Sequence, residues 1–250
     1  MTGLIALAGL GAAPAAVAAD VTVAVAANFV APLEAIAPDF RTTSGHTVVV
    51  VAGATGKLSS QIAAGAPFDV LLAADAETPA RLIADGHAVS GSAFTYAIGR
   101  LALWSAMPGL VDAGGAVLAQ AGRFRHLALA NPRLAPYGRA AMEVLDARGL
   151  FERLTPTIVM GQNIAQTYQF VVSGNAELGF VALSQVRAPG RAAVGSWWEV
   201  PASLHAPIRQ DAVLLAHGAA NPAARALLEY LRSDAARARI RAFGYGDATP

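Results

Sequence analysis

Short apolar runs alternate along the chain with longer segments in which apolar residues recur every three or four positions. The runs are typical of buried strands and the longer segments of amphipathic helices, so the alternation predicts β-α-β units around a mainly parallel sheet. In the first half we expect strands over residues 21–26, 47–52 and 69–74 and helices over 33–40, 58–64 and 80–84.

A second alternation follows a long apolar run at residues 96–106, which we expect to form one strand. The Gly- and Ser-rich segment 86–93 just before it is a candidate crossing point between two domains. Further strands are expected over 126–130, 157–161, 178–183 and 211–216, and helices over 138–147, 165–172 and from near Asn221 and Ser233. Two α/β units in one chain place a ligand between them, at strand ends where helix N-termini converge.

Composition narrows the possible chemistry. The chain has 250 residues, enough for one large domain or two of ordinary size, and 55% of them are hydrophobic while 14% are charged, which is typical of a well-buried α/β protein. The 18 basic and 17 acidic residues are spread along the chain, so no basic stripe indicates a nucleic-acid partner. The absence of cysteine removes thiol catalysis, disulfides and Cys-based zinc sites.

The first 18 residues are apolar and uncharged, and Ala16-Val17-Ala18 forms a small-x-small cleavage pattern. This pattern predicts a signal peptide over residues 1–18 and therefore an exported protein, although no Lys or Arg precedes the apolar stretch. The alternative is a cytoplasmic chain with an alanine-rich start. We expect the mature protein to be soluble, and the lack of a lipobox cysteine argues against a lipid anchor.

Local signatures of catalysis are missing. The five histidines show no metal-binding spacing, and the chain contains neither a G-x-S-x-G elbow nor a G-x-G-x-x-G fingerprint. Asp69 and Asp75 flank an expected strand, where capping or hinge hydrogen bonds suit them better than acid-base catalysis. The segment AGATGKLSS (52–60) resembles a Walker A loop, but Val51 and Leu58 occupy the positions where that loop needs Gly and Ser or Thr.

Strand-to-helix junctions remain as the informative positions. Asn28 follows the first strand at a position suited to a helix N-cap, and Thr55 follows the second strand in a glycine-rich turn. Two such junctions place helix N-termini at one sheet edge, which attracts an anion without fixed positive side chains. Segments 131–138, with Tyr137, and 160–166 are the matching junctions of the second half. Lys57, the only lysine, is expected to reach solvent rather than the ligand.

These residues carry a resemblance that covers nearly all of the chain after residue 18. The segments VAVAANF, GATGKLSSQIAAGAPFDVLLAAD, ALANPRLAPYGRAAMEVL, GQNIAQTYQFVVSGNAELGFVALSQV and IRQDAVLL resemble the molybdate-binding periplasmic proteins of ABC importers, a type II periplasmic binding protein family. The resemblance implies two Rossmann-like α/β domains with a ligand cleft between them. We expect domain 1 to comprise residues 19–98 plus 209–250 and domain 2 to comprise residues 99–208.

The resemblance also implies a ligand site built from neutral hydrogen-bond donors. Its binding positions fall on Asn28 with Ala27, on Thr55 with Ala54, on Tyr137 and on the backbone amide of Ile164. One branch of the family has a further tyrosine where this chain has Ala182. The resemblance therefore implies that the hydroxyl of Tyr137 replaces that donor.

The function implied is that of an extracytoplasmic solute-binding protein. It would hold molybdate or tungstate as an oxyanion, use no cofactor and no direct cation ligand, and close its domains around the ion. It would be a monomer that delivers the ion to a membrane permease, without enzymatic activity and without a nucleic-acid partner. The alternatives are the same role for sulfate or another tetrahedral oxyanion, a cytoplasmic regulatory sensor, and an enzyme acting on phosphorylated small molecules.

Overall fold

The computed structural model describes residues 18–120, 122–190 and 194–247, so the predicted signal peptide lies outside the described residues except for Ala18. The chain forms two α/β domains, each with a five-stranded sheet, as the sequence predicts. The sheet orders are β2-β1-β3-β10-β4 and β7-β6-β8-β5-β9.

The strands are β1 Asp20–Ala26, β2 Thr47–Gly53, β3 Val70–Leu72, β4 Phe94–Gly99, β5 Leu101–Ser105, β6 Leu127–Ala130, β7 Ile158–Gly161, β8 Leu178–Ala182, β9 Ser196–Glu199 and β10 Ile208–Leu214. The helices are α1 Val30–Ser44, α2 Thr55–Ala63, α3 Glu77–Ala84, α4 Pro136–Ala147, α5 Phe151–Leu154, α6 Ile164–Val172, α7 Leu183–Val186, α8 Pro222–Leu231 and α9 Asp234–Ala242. None of the helices in the described part of the chain is long and apolar enough to cross a membrane.

The central strands β3, β6 and β8 have no polar side chain, and β1 is apolar from Val23 to Ala26, because helices cover both faces of each sheet. In β1, Val23 and Val25 belong to the core under α1 and α8, whereas Ala24 faces the core under α2 and α3. In β8, Phe180 and Val181 likewise point into two different cores. Burial on both faces removes the alternation that a half-exposed strand would show.

The prediction of one long strand over residues 96–106 is wrong. Arg100 separates β4 from β5, and these two strands belong to different sheets. The guanidinium of Arg100 is half exposed and lies 2.9 Å from the Glu199 carboxylate. A charged side chain is rarely buried without a partner, so Arg100 marks the point at which the buried strand ends. The chain therefore crosses between the sheets here and not at the glycine-rich segment 86–93, and it returns through residues 200–207.

The sheets are mixed rather than mainly parallel, which corrects a second expectation. Strand β1 pairs in parallel with β2 and β3, and β6 pairs in parallel with β7 and β8. By contrast, β10 and β5 each pair in an antiparallel manner with both of their neighbours. These two strands begin directly after the two crossings, so no crossover helix orients them parallel to their neighbours.

Several element limits also differ from the predictions. Strand β9 lies in a segment that the pattern indicated as a connection, and β10 begins three residues before the expected strand 211–216. Helices α2, α3 and α4 start two or three residues early because their first turns lack the apolar period. The predicted helix starts near Asn221 and Ser233 are confirmed, and both residues are N-caps whose side chains accept from the amides of Ala223 and Ala236.

Candidate ligand-binding site

Four segment starts from the two domains meet at one small pocket. They are the short 3₁₀ turn Ala27–Phe29 after β1 and the N-termini of α2, α4 and α6. All six residues predicted for the site line this pocket together with six neighbours: Ala26, Ala27, Asn28, Gly53, Ala54, Thr55, Ala74, Ala135, Pro136, Tyr137, Asn163 and Ile164. This lining, drawn from the described residues, contains no charged side chain.

The pocket suits a very small ligand. Its cavity volume is about 10 Å³, far below the roughly 300–1,000 Å³ of sites for drug-sized molecules. Asn28, Thr55, Tyr137 and Ile164 are each at most 3% exposed. In this arrangement the site therefore excludes nucleotides and sugars, in agreement with the failed Walker A pattern.

The start of α2 leaves donors directed at the pocket. Its N-cap residue is Ala54, whose methyl group cannot accept a hydrogen bond, and the amide of Thr55 finds no acceptor among the described residues. The Thr55 hydroxyl oxygen accepts from the Ala74 amide at 3.0 Å, so its proton remains for a ligand. The next amide, that of Gly56, donates to the Leu134 carbonyl of the other domain at 3.0 Å. Thr55 is thus held by one bond and keeps a donor free.

At the start of α6, the side chain that caps the helix leaves the first helical amide without a hydrogen bond. The Asn163 side chain accepts from the amide of Gln166 at 2.9 Å, whereas the Ile164 amide has no acceptor in the described part of the chain. Gln185 fixes this turn because its side chain accepts from Ala182 at 3.0 Å and donates to the Ile164 carbonyl at 3.3 Å. The arrangement fits the backbone role predicted for Ile164.

The start of α4 presents the amide of Tyr137. Pro136 occupies the first helical position and has no N–H, so Tyr137 supplies the first amide, which lacks an acceptor within the described residues. The Tyr137 hydroxyl lies in a buried network, where it accepts from the Gln210 side-chain amide at 3.0 Å. The predicted ligand role of this hydroxyl stays a prediction, and the backbone amide is a second donor on the same residue.

The interpretation of Asn28 as a plain N-cap is wrong. Asn28 lies inside the 3₁₀ turn, and Phe29 is the residue that precedes α1. The Asn28 side chain instead donates to Gln210 Oε1 at 2.8 Å and to the Tyr245 hydroxyl at 3.0 Å. Both partners follow Asn28 in the chain by about two hundred residues, so the local sequence pattern could not predict these hydrogen bonds.

Other residues singled out by the sequence have structural roles. Asp75 accepts from the Thr78 amide in the first turn of α3 at 2.9 Å, which fits the predicted capping role. Asp69 accepts from the Thr22 amide of β1 at 2.8 Å and lies 3.1 Å from His217, so its backbone hydrogen bond is to a strand and not to a helix start. Lys57 is exposed, as expected. In the described parts of the chain, no three side chains of the metal-ligating types cluster.

A set of buried polar side chains behind the pocket was missed by the sequence analysis. Gln210 connects to Tyr96 and Tyr137, and Tyr245 connects to Ser184 and to the carbonyl of Asn28. Burial raises the pKa of the Tyr96, Tyr137 and Tyr245 hydroxyls above the usual value of tyrosine. These hydroxyls therefore stay neutral and keep their protons at physiological pH.

This burial predicts a loss of stability at alkaline pH. The native state holds the three phenolic protons above about pH 10, where the unfolded chain releases them, so the free energy of unfolding falls as pH rises. The expected slope reaches about 1.4 kcal/mol per pH unit for each tyrosine. Urea unfolding between pH 9 and pH 11 measures this slope. Tyr245→Phe should reduce the slope by the contribution of one tyrosine. A free energy of unfolding that does not change across this pH range would contradict the burial of the three hydroxyls.

The two domains touch across the pocket. Besides the bond between Gly56 and Leu134, Arg139 of α4 lies 3.1 Å from the Glu77 carboxylate and 3.4 Å from that of Asp75. These contacts join helix starts from opposite sides of the cleft. The structure is therefore a closed arrangement of the two domains.

Residues 21–246 match the family model described as bacterial extracellular solute-binding protein. The chain belongs to this family. The chain is 55% identical over 232 residues to the molybdate-binding protein ModA of Azotobacter vinelandii. The match covers 93% of this chain and 92% of that protein. The chain is 48% identical over 236 residues to ModA of Rhodobacter capsulatus, covering 94% and 92%.

The solved structure of the Azotobacter vinelandii periplasmic molybdate-binding protein agrees with this solute-binding fold. The TM-score is 0.89 at 42% sequence identity, and the match covers 92% of this chain and all of that one. The two-domain fold predicted from the sequence is thus confirmed. For a solute-binding protein, a pocket lined by unpaired amides and hydroxyls at helix N-termini can hold a small anion by hydrogen bonds alone.

Proposed function

We propose that this protein binds molybdate in the pocket between its domains and delivers the ion to the membrane permease of an ABC importer. The observation that carries the proposal is the convergence of donors from both domains on a buried pocket without charged lining residues. The high identity to relatives named molybdate-binding protein supports the choice of ion. We further propose that the protein works in the periplasm as a monomer without a cofactor.

The unpaired amides of Thr55, Tyr137 and Ile164 and the Thr55 hydroxyl are the first donors that we assign to the ion. The positions implied by the family resemblance add the backbone N–H groups of Ala27 and Ala54, and the side chain of Asn28 or the Tyr137 hydroxyl after rearrangement of their network. Burying a dianion without a countercharge is costly unless its oxygens find donors. Charge-assisted hydrogen bonds and the N-terminal ends of α2, α4 and α6 supply that compensation.

The donor set also explains how the ion would be selected. Phosphate carries a proton at neutral pH, and a pocket of donors would leave that O–H without an acceptor. Sulfate is smaller than molybdate, so the site would exclude it only if the cavity of the loaded protein is too large for the smaller ion to touch every donor. Tungstate has the same shape and charge as molybdate and should bind as well.

We propose the domain limits 19–98 plus 209–250 and 99–208. The two chain crossings at Arg100 and at residues 200–207 lie within two residues of these limits and support them, although Gly99 and Ile208 pair with each other in the sheet of the first domain. Because the domains contact each other through the helix starts that form the pocket, closure and ligand contact would occur together. A permease could then recognise the closed, loaded form. We propose no catalytic activity and no nucleic-acid partner.

Calorimetric titration of the protein with molybdate, tungstate, sulfate and phosphate tests the proposal. We expect submillimolar or tighter binding of molybdate and tungstate and no measurable heat with phosphate. Affinity for sulfate equal to that for molybdate would establish the alternative role in sulfate binding. The absence of binding to all four ions would refute an oxyanion site.

Thr55 offers a direct test of a single side-chain donor. We expect Thr55→Val to weaken molybdate binding about tenfold or more, because it removes one donor to the ion. It also leaves the buried Ala74 amide without an acceptor, at a cost of about 1–3 kcal/mol in the free energy of unfolding. Thr55→Ser keeps the hydroxyl and should retain both properties. Equal titration curves for the Val and Ser variants would show that the hydroxyl does not contact the ion.

A further inference from the structure

Gln210 is the buried side chain that joins ligand-site residues of the two domains. It lies on β10, is 0% exposed, and does not itself line the pocket. Its Oε1 accepts from Asn28 Nδ2 at 2.8 Å and from the Tyr96 hydroxyl at 3.0 Å. Its Nε2 donates to the Tyr137 hydroxyl at 3.0 Å. One amide plane thus connects Asn28 of the first domain with Tyr137 of the second.

The backbone of β10 and β4 leaves space for the Gln210 side chain. The pairing of β10 with β4 shifts register between Gln210 and Asp211, and such a bulge redirects a side chain. Gly99 at the end of β4 leaves the space that the amide needs, since a Cβ there would lie 2.6 Å from Gln210 Nε2 and would also meet the Tyr137 hydroxyl. Both strands that border the domain crossings therefore accommodate Gln210.

A carboxamide is the side chain that fits this position chemically. It presents an acceptor to Asn28 and a donor to Tyr137 in one plane without bringing a charge near the pocket. Methionine would fill a similar space without either hydrogen bond. Glutamate would keep the shape but, when ionised, would place a negative charge behind a site for a dianion.

We propose that Gln210 is a positioning residue of the oxyanion site, one that holds Asn28 and, in the closed state, Tyr137 through its neutral carboxamide. This inference rests on the proposed function. It predicts that molybdate affinity depends on the hydrogen-bonding pattern and on the charge at position 210, although this side chain does not touch the ion.

The Gln210→Glu variant separates positioning from mere packing through its pH profile. Protonated glutamic acid keeps one acceptor and one donor, whereas ionised glutamate has acceptors only and repels the anion. Affinity should therefore fall as pH rises through the titration of the introduced carboxyl. The titratable or charged groups around this position are Tyr96 on β4, Tyr137 on α4, Tyr245 in the C-terminal segment, Asp211 on β10, and Asp75 with its partner Arg139. All of them are common to wild type and variant, so the ratio of affinities at each pH isolates position 210.

The experiment is calorimetric titration with sodium molybdate at pH 6.0, 7.0 and 8.5. We compare wild type with Gln210→Glu, Gln210→Met and the control Gln61→Glu, which adds the same charge at an exposed position of the first domain. We expect Gln210→Met to bind at least tenfold more weakly at every pH. Gln210→Glu should bind at least a hundredfold more weakly at pH 8.5 and recover to within tenfold of wild type at pH 6.0. The control should stay within threefold of wild type.

Each other outcome contradicts the proposal. Wild-type affinity in both Gln210 variants, or a loss in Gln210→Glu that does not change with pH, would leave Gln210 as a packing residue only. Should these variants fail to fold, Gly99→Ala provides a second route, because it must displace the Gln210 amide, and unchanged affinity would overturn the proposal. Leu228→Ala, in the core under α8, controls for lower melting temperature alone. A wild type that does not bind molybdate would refute the proposed function instead.

Discussion

Asn28→Asp should abolish molybdate binding under conditions where the wild type is saturated. The change preserves the shape of the side chain but replaces a donor with a carboxylate at the wall of a buried pocket. Two unit charges about 4 Å apart interact with about 4 kcal/mol at an effective dielectric constant of about 20. Repulsion of this size weakens binding about a thousandfold or more. Calorimetric or thermal-shift titration at pH 7.5 measures the loss.

The control for this variant is Asn175→Asp, which makes the same change at an exposed position of the second domain. It should bind molybdate as the wild type does. Asn28→Ser keeps a neutral donor and should lose tenfold or less. If Asn28→Asp is folded by circular dichroism and still binds within tenfold of wild type, the pocket does not hold a dianion.

Ile164→Pro should weaken molybdate binding by one to two orders of magnitude while leaving α6 in place. Proline removes the backbone N–H that we assign to the ion, and a charge-assisted bond of this kind contributes about 1.5–3 kcal/mol. The substitution fits the fold because proline is favoured at the first position of a helix. Asn163, with φ −150° and ψ 175°, also has the extended conformation required before proline.

Ile164→Ala is the matched control for the loss of the side chain. It retains the N–H but removes buried methyl groups, so it should lower the free energy of unfolding by about 2–5 kcal/mol while affinity changes little. Titration of both variants below their melting temperatures separates the two effects. A larger affinity loss in the alanine variant than in the proline variant would show that the side chain, and not the amide, matters for binding.

The local part of the site could be predicted from the sequence because it lies at boundaries between strands and helices. A helix start after a buried strand leaves unpaired amides wherever alanine replaces a capping side chain, as at Ala54 and Ala135. The positions of Thr55 and Tyr137 at such boundaries are visible in the chain itself. The prediction of a backbone role for Ile164 came only from the family resemblance.

The remainder depends on contacts between distant parts of the chain. The partners of Asn28 are 182 and 217 positions away, so its local context suggested a helix cap instead. The break at Arg100 was missed because apolar residues continue on both sides of one charged residue. The ion pair with Glu199 that holds this crossing also joins residues 99 positions apart. The periodicity of apolar residues indicates that a segment is buried, but it does not indicate to which sheet the segment belongs.

The crystal structure of the protein grown with molybdate, with anomalous diffraction recorded at the molybdenum edge, tests the central proposal most directly. We expect one strong anomalous peak between Asn28, Thr55, Tyr137 and Ile164, with every oxygen of the ion within hydrogen-bond distance of an N–H or O–H group. No Arg or Lys nitrogen should lie within 4 Å of the ion. An empty pocket, or a molybdate held by Arg139 or Lys57, would contradict the proposal that neutral donors alone bind the anion.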